Sequence, residues 1–279
     1  MTTQPRASQP ASGVSVPETA VRRFADALQG TLIRPGDADY DDARTLFNAL
    51  IDKRPAFIAR TATTADVVAS VNFAQEHRLS VAIRGSGHNG AGLALVDGGL
   101  VIDLSPIRAI AVDPASRTVR VGGGARWGEV DQATHAYGLA VPGAIVAKAG
   151  VANVTLGGGL GHLSRQHGLT VDNLLEAEVV LADGRVVVTS ADENADLFWA
   201  LQGGGGNFGV VTNFLFQAHP IHTIVGGPML WEFEKAPALM RWYRDFIQTA
   251  PENVRGFFAF LQVPPVPPFP KRLQMRRMS

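Results

Sequence analysis

The sequence predicts an α+β fold that mixes parallel and antiparallel sheet. Phe57-Ile58-Ala59-Arg60 and Val81-Ala82-Ile83-Arg84 are short apolar runs separated by a helical pattern, the signature of a parallel βαβ unit. Further on, one pair of strand-like runs flanks Asp113-Pro114 and a second flanks Asp183-Gly184, and both read as antiparallel hairpins. A hydrophobic content of 46% is ample for a core.

The elements follow in order. Residues 1–14 are rich in Ser, Thr, Pro and Ala without an apolar centre, and read as a loose, disordered tail. Ser15-x-x-Glu18 resembles a capping box, and Val21, Phe24, Ala25 and Leu28 then mark one face of a short helix in an N-terminal helical segment, 15–53. After an Asp-rich connector comes the strand at Phe57. Thr64 is placed to cap a helix whose Val67, Val68, Val71 and Ala74 face inward, and the strand Val81–Arg84 follows. Leu100–Leu104 is strand-like after an Asp97-Gly98-Gly99 turn. The first hairpin pairs Ile107–Val112 with Thr118–Val121, and the second pairs Glu178–Leu181 with Arg185–Val188. Helices are expected at Trp127–Tyr137 and Ala195–Leu201, and a buried strand at Val210–Phe216.

Composition removes several function classes. Basic and acidic residues balance at 25 each, so nothing draws the chain to nucleic acid or to a membrane surface. No apolar run approaches the length of a membrane span. Cysteine is absent, which excludes disulfides, thiolate metal sites and cysteine nucleophiles and is compatible with a reducing compartment; a cytoplasmic location is expected. His162 and His167 stand five apart and do not share a helix face, and His219 and His222 lie around Pro220. With no carboxylate cluster beside them, no metal site is expected.

The chemistry lies in three glycine-rich loops. Arg84-Gly85-Ser86-Gly87-His88-Asn89-Gly90 follows directly on a strand, so its backbone N–H groups can approach a phosphate with no Cβ in the way. Gly157-Gly158-Gly159-Leu160-Gly161 and Gly203-Gly204-Gly205-Gly206-Asn207-Phe208-Gly209 come later. Three such loops suggest a large, phosphorylated, mostly planar ligand. Gly85-x-Gly87-x-x-Gly90 fits the nicotinamide-dinucleotide fingerprint, and Asp103 stands near the distance expected for a ribose-binding acid. That fingerprint should open a helix, and none fits between Gly90 and Leu100. No Gly-Lys-Ser/Thr exists, so a P-loop is excluded.

Four blocks, in order, carry a family resemblance. They are Ile83–His88; Gly150-Val151-Ala152-Asn153-Val154-Thr155-Leu156 running into Gly157–Gly161; Gly168-Leu169-Thr170-Val171-Asp172-Asn173; and Asp196–Thr212. Over about Arg54–Pro220 the chain resembles the flavin-binding domain of the berberine-bridge-enzyme-like and hydroxynicotine-oxidase-like FAD-linked oxidases, which are of the vanillyl-alcohol-oxidase (PCMH) type. The resemblance implies an FAD-binding domain, 54–220, of two α/β subdomains, followed by the incomplete start of an antiparallel substrate domain, 221–263. It implies FAD as cofactor, with Arg84, Gly85, Ser86, Gly87, His88 and Asn89 at the pyrophosphate and His88 bonded to the flavin 8α carbon. Gly150, Val151, Gly157, Gly158, Gly159 and Gly161 match the segment lining the ribityl chain and the isoalloxazine, and Val210 and Val211 the last strand beside the cofactor. Some members attach flavin a second time through a cysteine where this chain has Val146, and carry a histidine where it has Val154; a double linkage is impossible here. Asp172 and Asn173 suit local backbone groups but stand near the flavin segment.

The implied reaction is oxidation of a small organic substrate by hydride transfer to flavin N5, with reoxidation by oxygen or another acceptor. No catalytic base is assigned; Tyr137, Asp172 and His162 are only nominally available, and oligomeric state is left open. Ile224–Phe260 reads as the opening of a second domain, with strands at Trp231-Glu232-Phe233 and Gly256–Leu261 and an amphipathic helix at Ala236–Phe246. Residues 264–279 turn Pro-rich and then basic, and are expected to be non-native or unstructured, with the chain truncated or frameshifted near Pro270; the alternative is a native basic tail. On that expectation the chain turns over substrate poorly, and the alternative is a non-catalytic flavin-binding fragment.

Overall fold

Two sheets, one of four strands and one of five, organise the first part of the chain. The computed structural model describes residues 16–221, 223–267, 269–272, 275, 277 and 278. The expected tail at 1–14 and the Ser15 capping role lie outside them. Among the described residues the chain divides into two units: residues up to Pro220 except Arg165–His167, and Ile221 onward together with Arg165–His167.

The first unit opens with α1 (Glu18–Ala27), which buries Val21 and Phe24, and β1 (Thr31–Ile33). A short α2 (Tyr40–Ala43) leads to β2 (Phe57–Arg60), α3 (Thr64–Glu76), β3 (Val81–Arg84) and β4 (Leu100–Asp103). These strands form a four-stranded sheet in the order β1-β2-β4-β3. β4 is parallel to both β2 and β3, while β1 is antiparallel to β2. The helix cap is Thr63, one residue before the expected Thr64: its side chain accepts from Asp66 N at 3.3 Å. Thr64 is used differently. Its hydroxyl donates to Glu178 Oε1 at 2.7 Å.

β5 (Ile110–Asp113), β6 (Thr118–Gly122), β8 (Leu174–Val180), β9 (Val186–Ser190) and β10 (Val210–Gln217) form an antiparallel sheet in the order β5-β6-β10-β8-β9. The two expected hairpins are therefore its flanks, and β10 is inserted between them. Between β6 and β8 run α4 (Trp127–His135), a short β7 (Leu139–Ala140), α5 (Val151–Leu156) and α6 (Ser164–His167); α7 (Ala195–Gly204) follows β9. α7 outruns its expected end at Leu201, but Gln202 and Gly203 leave helical geometry. β11 (His219–Pro220) pairs with β7.

The 15–53 segment belongs to this unit rather than standing apart. Phe24 stacks on Phe73 of α3 with ring centroids 4.2 Å apart, and the buried Tyr40 hydroxyl donates to Pro55 O at 2.7 Å. Leu100, Ile102, Val67 and Phe73 build the core under the first sheet, and Val180 and Val210 from the second sheet complete it. Trp127, Val119, Val121, Phe214 and Phe216 form the other core. Glu178 joins the two layers by accepting from Thr64, from Thr212 (2.5 Å) and from Asn213 Nδ2 (3.0 Å). Burial pushes its carboxyl up, but these three donors outweigh burial and hold it below the usual carboxylate range.

In the second unit α8 spans Ala236–Thr249, longer than the expected Ala236–Phe246. Its last carbonyls are served by Arg165, which donates to Ile247 O and Ala250 O at 3.1 Å. The strands expected at 231–233 and 256–261 are not formed. Glu232 makes one bridge to Met278, and only β12 (Leu261–Gln262) pairs, with β13 (Arg277–Met278). A strand needs a neighbour, and Phe257–Phe260 find none among the described residues. The tail expected to be unstructured is partly docked instead, with Val263 and Met278 buried and Met275 N donating to Val263 O at 2.7 Å.

Candidate cofactor site

The loop after β3 is held from below by the segment after α2. Phe47 N donates to Gly87 O at 3.1 Å, and Asn48 Nδ2 to Gly90 O at 2.9 Å. Gly87 adopts φ +75°, a conformation that strains any L side chain, and this turn lifts the loop off the strand. Arg84 does not reach forward. Its guanidinium donates to Ala43 O and, at 3.1 Å, to Thr45 O, and burial lowers its pKa from the usual arginine value. It braces the loop's base. The loop therefore offers backbone N–H groups, Ser86 and His88.

His88 is half-buried. Its Nδ1 lies 3.2 Å from Ser86 Oγ, and its ring meets the exposed Phe47 edge-on at 4.8 Å. Asn89 Oδ1 accepts from Leu93 N at 3.1 Å, which closes the turn beyond it. No helix intervenes between this loop and β4, so the nicotinamide-fingerprint geometry is absent, as expected. Asp103 is buried at the end of β4, 3.9 Å from Arg60 Nε, with Oδ1 accepting from Ser105 N. It serves the fold, not a ribose.

Two other expected segments converge on the loop. A Cβ built on Gly150 would lie 2.5 Å from Ser86 Oγ and 3.2 Å from Ser86 N, so Gly150 and the loop touch with no room for a side chain. Val151 begins α5 and its N–H donates to Ala125 O at 2.9 Å. At the start of β10, Thr212 O accepts from Gly123 N at 2.8 Å, and a Cβ on Gly123 would lie 2.5 Å from Val211 O and one on Gly85 3.5 Å from Gly123 O. The hub is thus Gly122-Gly123-Gly124, which sequence reasoning passed over. Its signal was available: three glycines directly after the strand-like Thr118–Val121.

Gly157, Gly158, Gly159 and Gly161 follow the far end of α5, which sets Gly157 roughly 10 Å from Gly150 at 1.5 Å per helical residue. Gly159 O and Gly158 O accept from Thr170 N and Val171 N, which ties this loop to the 168–173 block. Asp172 Oδ2 accepts from Leu169 N at 2.7 Å, the local role expected of it, and Asn173 Nδ2 donates to Leu169 O. The third glycine loop borders a cleft of about 530 Å³ between the end of α3 (Ala74, Arg78), the free edge of β3 (Val81, Ile83) and Phe208–Val210. Tyr137 and His162 are exposed and take no part in the loop contacts described above. Among the described residues no group of three His, Cys, Asp or Glu side chains is placed to hold a metal ion, and no helix is long and apolar enough to cross a membrane.

This cradle suits a flat dinucleotide: backbone donors at Gly85–Gly90, a side-chain-free approach at Gly150, and a histidine beside them. Residues 55–190 match the FAD binding domain family. They are an FAD binding domain. The chain is 36% identical over 212 residues to the FAD-linked oxidoreductase YgaK of Bacillus subtilis, an alignment covering 74% of this chain and 47% of that protein. It is 36% identical over 206 residues to (R)-6-hydroxynicotine oxidase of Paenarthrobacter nicotinovorans, covering 74% and 45%. The crystal structure of 6-hydroxy-D-nicotine oxidase from Arthrobacter nicotinovorans superposes with a TM-score of 0.76 at 33% identity over 86% of this chain and 51% of that one. The BBE-like 1 protein of Physcomitrella patens gives 0.69 at 32%, over 72% and 44%. The chain spans about half the length of the relatives it matches. The FAD binding domain and its mixed sheet are thus of the type the sequence motifs implied.

Proposed function

We propose that the protein is an FAD-dependent oxidoreductase that oxidises a small organic molecule, with oxygen or another small acceptor taking the electrons. The observation that carries this is the contact of Gly150 with Ser86, which joins two glycine motifs far apart in sequence into one cradle beside His88. Bound FAD supplies a two-electron acceptor there.

The chain's own residues then do four things. The backbone N–H groups of Gly85–Gly90 face the diphosphate, with Arg84 stiffening the loop from behind. His88 Nδ1 is held by Ser86, so Nε2 would be the nitrogen that holds the flavin through its 8α carbon, and with no cysteine in the chain this link would be single. Gly150 and Val151 would line the ribityl chain, and Gly157, Gly158, Gly159 and Gly161, at the far end of α5, would border the ring. Val210 and Val211 present the start of β10, held in register by Gly123. The cleft along β3 leaves space for the distal end of an extended ligand. A cysteine-free chain is compatible with a reducing compartment, and we place its work in the cytoplasm.

The test is anaerobic mixing of the flavin-loaded protein with panels of alcohols, amines and sugars. Bleaching of the flavin absorbance by one class supports an oxidoreductase. A loaded protein that no class bleaches, while dithionite does, would reduce the reading to a flavin-binding chain without turnover.

A further inference from the structure

We propose that Arg126 is the cation that pairs with the FAD diphosphate. This rests on the reading that the 84–90 loop holds FAD, and gives that site the charge its loop lacks. A diphosphate carries negative charge that backbone N–H groups offset only in part, and Arg84, the basic residue of the loop itself, is spent on the carbonyls of Ala43 and Thr45.

Arg126 is placed to take that role by pairing geometry. It forms an antiparallel bridge with Gly150. Residues directly opposed across such a bridge project to the same face, with Cβ positions about 5 Å apart. At Gly150 that face is the loop, since its absent Cβ would stand 2.5 Å from Ser86 Oγ. The Arg126 side chain therefore leaves the backbone on the side of Ser86. Its charge reaches the loop's base, where it adds to burial and to the Arg60 charge in lowering the proton affinity of Arg84.

The cation is also uncommitted. Arg126 is exposed, and no carboxylate lies within 4.0 Å of its guanidinium among the described residues. Its neighbour Glu129 feels the Arg126 charge, but its direct ion pair is with Arg108, and it accepts from the Arg126 backbone N–H at 2.8 Å. The other nearby guanidinium, Arg60, faces Asp39 and Asp103. An arginine suits the role because its planar fork meets two phosphate oxygens at once.

The experiment measures reversible binding of FAD, ADP and riboflavin by fluorescence quenching and calorimetry in a His88→Ala parent, at low and high salt. Arg126→Gln should weaken FAD and ADP by roughly ten- to a hundredfold, the range of a charge-assisted hydrogen bond, and leave riboflavin, which has no diphosphate, unchanged. The parent's loss of FAD affinity with salt should shrink in the variant. Arg126→Lys should fall between, and Arg22→Gln, at an exposed arginine of α1 paired with Glu18, should match the parent. Equal weakening of riboflavin, or unchanged FAD affinity and salt dependence in Arg126→Gln, would overturn the assignment while the parent's own FAD binding still stood. A folded parent that takes no FAD, even at low salt, would bring down the FAD reading itself and the Arg126 assignment with it.

Discussion

Replacing Gly150 by Ala tests the cradle with a single methyl group. Gly150 has φ −76° and ψ 142°, which any residue adopts, so the substitution introduces no backbone strain. What it introduces is a Cβ 2.5 Å from Ser86 Oγ, 3.0 Å from Ser86 Cβ and 3.2 Å from Ser86 N. The hydroxyl can rotate away, but the backbone N and the Cβ cannot, so the 84–90 loop must move. Overpacking of this kind costs about 1–3 kcal/mol. If the displacement falls on the loop, FAD affinity drops by roughly five- to a hundredfold, at about 1.4 kcal/mol per tenfold. Ser86→Gly removes two of the three clashing atoms, so the double variant should bind more tightly than Gly150→Ala alone, with a coupling of about 1 kcal/mol or more. The assay is equilibrium FAD binding in a His88→Ala background, where the Ser86 bond to the ring no longer matters, with thermal melts as a folding control. Parent-like affinity in Gly150→Ala, or strictly additive effects in the double variant, would show that the two segments do not share the cofactor's surface.

Other outcomes follow from the same contacts. His88→Ala should abolish flavin fluorescence from the protein band in a denaturing gel, whereas wild type retains it; fluorescence kept by the variant would place the attachment elsewhere. Asp66 is buried and accepts from Gln29 N, Gly30 N and Ala62 N, so Asp66→Ala strands three donors and should cost about 3 kcal/mol or more in denaturant unfolding. Because the folded-state pKa of Glu178 lies below its ordinary value, its contribution to stability is present above the unfolded pKa and is lost as pH falls through the folded one. Glu178→Gln should therefore melt lower than wild type at neutral pH and show a shallower decline on acidification below about pH 4.5; parallel pH profiles would contradict the clamp. Trp242 and Phe246 stack on each other while remaining exposed on α8, and Trp242→Lys with Phe246→Glu should reduce self-association in light scattering without changing FAD affinity.

The parts of the fold that declared themselves were those with local signals. β2 and β3 match their apolar runs residue for residue, and the loop between β3 and β4 was legible because glycines leave no helix room. What stayed hidden depended on partners distant in the chain. β1 is three residues long and becomes a strand only by pairing with β2. Thr63 and Thr64 are both good caps locally; Thr63 takes the cap, while the Thr64 hydroxyl bonds Glu178 far along the chain. Arg84 looked like a phosphate ligand in its motif, yet the carbonyls it braces belong to a segment some forty positions earlier. Gly122–Gly124 carry no charge or nucleophile, and their place at the hub is visible only once Gly85, Leu104 and Val211 surround them. In the second unit, alternation at Trp231–Phe233 was a real pattern that finds only the single bridge from Glu232 to Met278 among the described residues.

The absorbance spectrum of the purified chain, taken before and after acid precipitation, bears most directly on the claim that this cradle holds FAD. The expected result is a yellow protein with flavin bands whose colour stays in the pellet, as the proposed covalent attachment through His88 requires. Colour that moves wholly to the supernatant would keep FAD and remove the linkage. A well-folded chain with no flavin bands, and none after incubation with FAD, would contradict the account at its centre.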